Sequence, residues 1–273
     1  MPEMFGFDAF SPKEIAGRVE AVGVAKARLP LLSMIMLGIL AGAFIGLGAL
    51  YFTLVTADAG LGFAASRVLG GAAFSLGLIL VVVAGAELFT GNNLLAMAWA
   101  DGKLSTAEVI RNWIVVCLAN FAGAAGLALL VSQSGHPEMN NSAVAFQYVK
   151  IAAAKCTLSF WTAFFSGVLC NILVCLALWM ALAGRSVVDK VLAIVFPVSA
   201  FVAAGFEHSV ANMYFILMGL LLKGHVAAAP NMDAITWAGF LGNLVPVILG
   251  NLVGGSVFVA FVYSVIYRRG TKA

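Results

Sequence analysis

The sequence predicts an all-α polytopic membrane protein: six transmembrane helices in two inverted three-helix repeats, with the second and fifth helices broken. Three observations predict it. Of 273 residues, 63% are hydrophobic and 10% charged, with mean hydropathy +1.05. A soluble domain carries roughly 25% charged residues, so most of this surface must face lipid. Six apolar runs each reach the roughly 20 residues that cross a bilayer. Finally, one polar pattern occurs twice, inside the second run and inside the fifth, which divides the chain into related halves.

Residues 1–28 mix acidic and basic side chains without an apolar core segment, so no signal peptide is read there. Ser11-Pro12-Lys13-Glu14 has the form of a capping box with proline in the first turn. Ile15, Val19 and Val22 then recur at helical spacing, which predicts an N-terminal amphipathic cytoplasmic helix at the membrane surface. Its role is left open between an inert anchor and a regulatory plug. The apolar runs fall near 31–56, 68–100, 109–132, 157–183, 187–222 and 239–266. Breaks run from Asp58 to Arg67, Asp101 to Arg111, Gly135 to Lys150, Arg185 to Lys190 and Lys223 to Asp233. The six-span pore domain is therefore 29–267, with repeats of about 29–132 and 151–267, followed by a tail at 268–273.

Six spans put both termini on one side. Lys13, Arg18, Lys26, Arg28, Lys103, Arg111, Arg185, Lys190, Arg268, Arg269 and Lys272 lie there, against Arg67, Lys150, Lys155 and Lys223 opposite. The positive-inside rule makes the terminus side cytoplasmic. A net charge of +3 without a basic cluster excludes a nucleic-acid partner. Cys117, Cys156, Cys170 and Cys175 show no CxxC spacing and read as small apolar residues, not metal ligands. No cofactor is implied.

The repeated pattern is A-G-x-E-x-x-x-x-N, at Ala84 to Asn92 and again at Ala204 to Asn212. A second echo pairs Asn112 and Asn120 with Asn243 and Asn251. An odd number of spans per repeat inverts the second copy. Inverted repeats with interrupted helices at matching positions point to a solute site near the midplane. Glu87 and Glu207 have two readings: holding each break open with Asn92 and Asn212, or carrying protons. His208 is the histidine deep in an apolar span, and it is read as solute-facing or as a satisfied core group. Thr90 offers a hydroxyl at the opposing break. Lys155 either snorkels or draws anions to a mouth. Asn171 and Asn251 either bond between helices or line a path. Gly38, Gly42 and Gly46 form a doubled GxxxG face suited to close helix contact, within or between subunits.

The stretches at 86–92 (AELFTGN), 171–180 (NILVCLALWM), 205–213 (GFEHSVANM) and 243–251 (NLVPVILGN) resemble the formate/nitrite transporter family. Similarity runs along essentially the whole chain. The resemblance implies a homopentamer of aquaporin-like protomers in a bacterial-type cytoplasmic (inner) membrane, each protomer with its own pore. It implies that His208 is the central pore histidine and Thr90 its partner. It places Leu78 and Leu88 at one constriction and Phe74 and Phe201 at the other, with Asn171, Val174 and Asn251 nearby and Lys155 at an entrance. Glu-Leu-Phe-Thr-Gly resembles nitrite-type members, whereas the stretch from Gly184 to Lys190 resembles formate-type ones.

The combined reading is a channel or symporter for small monovalent weak-acid anions such as formate or nitrite. The anion is captured and then neutralised by a proton, supplied by His208 or through water. A hydrosulfide or small neutral-solute channel is the alternative. An enzyme is disfavoured, because no nucleophile–base pair or metal set is present in the sequence.

Overall fold

The structure is a computed structural model that describes residues 9–57, 60–226 and 229–267. Asp58, Arg268, Arg269, Lys272 and the whole 268–273 tail lie outside them. Eleven α-helices occur among the described residues. The first half comprises α1 (Pro12–Ala27), α2 (Leu31–Thr56), α3 (Phe63–Leu80), α4 (Leu95–Ala100) and α5 (Thr106–Ser132). The second comprises α6 (Ala143–Cys156), α7 (Phe160–Ala183), α8 (Val187–Ala204), α9 (Ser209–Leu222), α10 (Trp237–Leu252) and α11 (Val262–Tyr267). A wide π-turn, Val81–Gly85, ends α3, and a longer one, Val253–Phe261, joins α10 to α11.

Six segments have the length and apolarity of membrane spans: Leu31–Thr56, Phe63–Gly85, Thr106–Ser132, Phe160–Ala183, Val187–Ala204 and Trp237–Tyr267. The second and fifth spans are broken as the sequence predicts. Irregular backbone separates α3 from α4 and α8 from α9, so α4 and α9 are half-helices. Glycines in the left-handed region make both breaks, Gly85 at φ 84° and Gly205 at φ 80°, a conformation that costs other residues a Cβ clash. Beyond them the mirrored bonds Ala86 N–H to Val81 C=O and Phe206 N–H to Phe201 C=O, both 3.0 Å, close the helix ends.

Helix packing carries the repeat. α2 packs on α5 as α7 packs on α10, α2 on α3 as α7 on α8, and α1 on α4 as α6 on α9. The pair α3–α8 lies across the pseudo-two-fold axis. Two sequence expectations change here. The stretch from Gly135 to Lys150, read as a break, contains the start of α6, a 14-residue helix too short and too charged to register as a span. Its packing counterpart is α1, which sits on α4 as α6 sits on α9. α1 has the predicted capping box, with Ser11 and Glu14 each bonding the other's backbone. Two of its three predicted apolar residues pack inside the protein: Ile15 and Val19, with Ala16, are buried against Met97, Trp179 and Val259, whereas Val22 is exposed.

The doubled GxxxG face packs within the subunit. A Cβ at Gly38 would strike Ala119, one at Gly42 the Asn120 carbonyl, and one at Gly46 Leu127. With no hydrophobic drive between helices in lipid, this close approach supplies much of the contact between α2 and α5. Gly42→Ala therefore lowers the unfolding temperature in detergent, at a cost of about 1–3 kcal/mol from overpacking. Gly126→Ala is the control, since nothing lies within 4 Å of its added carbon, and its thermal unfolding stays at the wild-type value.

Candidate functional site: a pinched path between two helix breaks

Each break is built around a buried glutamate. Glu87 and Glu207 are each 5% exposed. An unpaired carboxylate at that depth would cost several kcal/mol, and a lysine and an asparagine at each glutamate remove the cost. Lys26 reaches Glu87 at 2.9 Å, and Lys155 reaches Glu207 at 2.8 Å. Asn92 donates to Glu87 at 2.7 Å and Asn212 to Glu207 at 2.6 Å. Asn92 and Asn212 also donate to the Oδ1 atoms of Asn112 and Asn243, at 2.9 and 2.8 Å. The two asparagines in turn hold the lysine-bearing helix ends, donating to the carbonyls of Lys26 (3.3 Å) and Lys155 (3.0 Å).

A second mirrored set fixes the loop backbones. Asn120 donates to the Gly38 and Glu87 carbonyls and accepts from the Phe89 amide. Asn251 donates to the Gly167 and Glu207 carbonyls and accepts from the Ser209 amide. Every bond has its counterpart. Asn251 is thus bound to backbone on all sides. Asn171 ties the halves together: its Nδ2 lies 3.2 Å from the Thr90 carbonyl, 2.7 Å from Asn93 Oδ1 and 2.7 Å from the Asn251 carbonyl.

The cradles are not identical: Lys26 also donates to Asn92 Oδ1 at 3.0 Å, and Asn243 donates to Glu207 at 3.2 Å, neither with a counterpart in the other half among the described residues. At the residue after each glutamate the side chain itself changes. His208 occupies the position that Leu88 holds in the first break, directly after the glutamate. His208 caps α9, its Nδ1 accepting the Ala211 amide at 3.1 Å, while Nε2 stands 3.0 Å from Thr90 Oγ1. Nδ1 is occupied as an acceptor, so the proton of the neutral imidazole resides on Nε2. Thr90 Oγ1 therefore accepts, and its own hydroxyl hydrogen is left to donate elsewhere. The imidazole stacks on Phe201, with ring centroids 6.0 Å apart, and Phe201 meets Phe74 edge to face at 5.9 Å.

Three cavities lie along this line. A far-side vestibule of about 340 Å³ is lined by Phe74, Lys155, Phe201, Glu207 and His208. A terminus-side vestibule of about 290 Å³ is lined by Lys26, Glu87, Leu88 and Asn92. A cavity of about 10 Å³, bounded by Ile45, Phe74, Leu78, Val174, Val198, Phe201 and His208, lies between the constrictions named in the sequence. Phe74, Phe201 and His208 border both the far vestibule and the small cavity. Thr90, Asn171 and Asn251 border none of the three, and Thr90 meets the line through His208. Among the described residues no three His, Cys, Asp or Glu side chains cluster as a metal site.

Sequence reasoning missed Lys26, the counterpart of Lys155. The signal was present: Lys26-x-x-Leu29 and Lys155-x-x-Leu158 precede the first and fourth spans in the same way. Asn93 and Trp113 were also missed. Trp113 donates to the Asn92 carbonyl at 2.9 Å, a contact that spacing alone does not disclose.

Two vestibules that converge on a pinch between opposed helix breaks define a membrane transport protein. The sequence matches the profile of the formate/nitrite transporter family over residues 13–265. It is 39% identical to the formate channel FocA of Escherichia coli K12, over 96% of each chain. It is also 39% identical to a probable formate transporter of Methanothermobacter thermautotrophicus, over 95% of this chain and 97% of that protein. Among solved structures it resembles a pentameric formate channel with formate bound, with a TM-score of 0.77, 38% identity, and coverage of 87% of this chain and 97% of that one. An ion channel of the same family superposes with a TM-score of 0.82 at 32% identity, covering 93% and 98%. The chain belongs to the formate/nitrite transporter family, whose members are transporters and not enzymes.

The carboxylate cradles yield a stability prediction. Glu207→Leu strands the Lys155 ammonium and lowers unfolding stability in detergent by about 3–5 kcal/mol. Lys155→Met costs less, because Glu207 keeps its bonds from Asn212 and Asn243. Thermal unfolding of both variants and the double variant resolves the coupling.

Proposed function

We propose that this protein conducts small monovalent weak-acid anions, formate foremost, through a pore in each protomer of a homopentamer. It does so in a bacterial-type cytoplasmic membrane, with both termini in the cytoplasm. The observation that carries the reading is the Thr90–His208 pair, 3.0 Å apart between two apolar constrictions. The named relatives support formate as the solute, and the excess of basic residues on the terminus side supports the orientation.

The physics follows from desolvation. A bare anion between Phe74, Phe201, Leu78 and Leu88 loses its water and finds few donors in return, a cost of several kcal/mol. A weak acid avoids it by crossing as the neutral molecule. The anion gathers a proton in one vestibule, the acid passes the constrictions, and the proton is released in the other. Charge and protons balance, since one anion and one proton move together. At the pinch, the Thr90 hydroxyl donates to the solute while His208 Nε2–H holds Thr90 in place.

The capping bond at Nδ1 supports water, rather than His208, as the source of the proton. Neutral His208 has a single ring proton, on Nε2, and giving it up would create an imidazolate. Becoming an imidazolium would require a hydrogen on Nδ1, against the Ala211 amide that now points at it. Vestibule water therefore delivers the proton, and His208 orients and donates. Nitrite fits the same route; chloride, the anion of a strong acid, does not.

Reconstituted protein is tested by pH-jump flux with formate, nitrite, hydrosulfide, chloride and glycerol. Formate uptake rises as external pH falls, and chloride stays outside. His208→Asn and Thr90→Val each reduce formate flux by roughly 10–100-fold, the effect of about 1–3 kcal/mol for a lost buried hydrogen bond. A His208→Asn protein that moves formate at the wild-type rate and pH dependence removes the histidine from the mechanism.

A further inference from the structure

Each vestibule wall holds two basic side chains and one carboxylate. On the far side these are Arg67, Lys155 and Glu207, and on the terminus side Lys26, Lys190 and Glu87. In both, the lysine beside the break is ion-paired with the glutamate, so that pair contributes no net charge. The second cation is in a different state. Arg67 and Lys190 make no ion pair among the described residues.

Arg67 uses Nε and one Nη to hold the last carbonyls of α8, Ala203 at 2.8 Å and Val202 at 3.1 Å. A guanidinium carries five N–H donors, so three remain for other acceptors. A Cβ at Gly205 would come within 2.7 Å of the same guanidinium, which places the charge directly over the break. Lys190, near the start of α8, makes no side-chain hydrogen bond among the described residues and borders the same cavity as Gly85 and Ala86. The two residues are thus related in place. Each stands near the N-terminal end of one member of the α3–α8 pair and lines the vestibule at the other member's break.

We infer that Arg67 and Lys190, rather than the paired Lys155 and Lys26, give the two vestibules their net positive charge and so concentrate monovalent anions at each end of the path. With His208 neutral, each vestibule sums to one positive charge, and removing Arg67 or Lys190 takes its vestibule to zero. A single uncompensated charge over a cleft with low-dielectric walls raises the local concentration of counter-ions, by tenfold or more in favourable cases. The attraction fades with salt, because the screening length falls from about 30 Å at 0.01 M to about 8 Å at 0.15 M ionic strength. Lys26 and Lys155 then serve the breaks, and Arg67 and Lys190 serve the solute.

This assignment rests on the anion-channel reading above, and the test separates the two. Formate flux into proteoliposomes is measured for wild type, Arg67→Gln, Arg67→Lys and Lys190→Gln at about 10 mM and about 300 mM ionic strength. Arg67→Gln and Lys190→Gln each lower flux about fivefold to tenfold at the lower value and less than twofold at the higher. Arg67→Lys, which keeps the charge and loses the fork, stays within about twofold of wild type throughout. Lys190→Gln guards against misfolding, since it removes no hydrogen bond. Flux that is unchanged at low salt overturns the assignment, as does a loss of equal size at both ionic strengths. Wild-type protein that moves no formate overturns the channel reading as well.

Discussion

A helix interrupted inside hydrocarbon leaves amides and carbonyls that water cannot reach, and each one left unpaired costs several kcal/mol. This protein makes two such interruptions and meets the cost twice with the same cradle of glutamate, lysine and asparagines. Glu87 and Glu207 are the centre of each. Each binds the lysine at the end of a preceding helix and the asparagine that opens the following half-helix, so one carboxylate fastens three elements at once. Without the cradles neither α4 nor α9 would start where it does, and His208 would not stand where the far vestibule adjoins the small cavity. A buried ion pair is weak evidence for stability. Here the stronger statement is geometric: the pair specifies where the chain stops being helical.

Much of this was legible in the residues. Composition and apolar run length were enough for six spans, and the doubled A-G-x-E-x-x-x-x-N pattern was enough for the inversion and both breaks. Glu87, Asn92, Glu207 and Asn212 stand where the pattern put them. Less legible was anything that depends on which atom meets which. Ser11 to Glu14 announced the start of α1, but not that Ile15 and Val19 would turn toward Trp179 instead of lipid. α6 escaped notice because hydropathy registers membrane spans, and a 14-residue helix with two lysines is not one. Its kinship with α1 shows only in three dimensions. The site divides in the same way. The family resemblance paired His208 with Thr90, whereas Arg67 looked like a loop charge until it was seen on the α8 carbonyls.

The packing assigns other duties by the same logic. Asn171 and Asn251 were candidates for a wet surface, yet Asn251 is bound to backbone on all sides, and the Asn171 amide N–H groups are spent on two backbone carbonyls and Asn93. In a bilayer-embedded bundle such amides tie helices together. The residues that touch open space are mostly apolar, and polar groups arrive there singly. A path built this way rejects solutes that must keep their water.

The departure from mirror order that reaches the path is the exchange of Leu88 for His208. On the proposed reading, a solute from the terminus side meets Leu88 first, and one from the far side meets Phe74, Phe201 and His208 together. The two directions can therefore differ in how quickly they fill and saturate. They cannot differ in where they end. With no fuel consumed, detailed balance holds, and under the proposed proton-coupled passage net movement ceases when the solute's gradient and the proton's oppose each other equally. Lopsided walls set the tempo of exchange, and the cell's own gradients decide its direction.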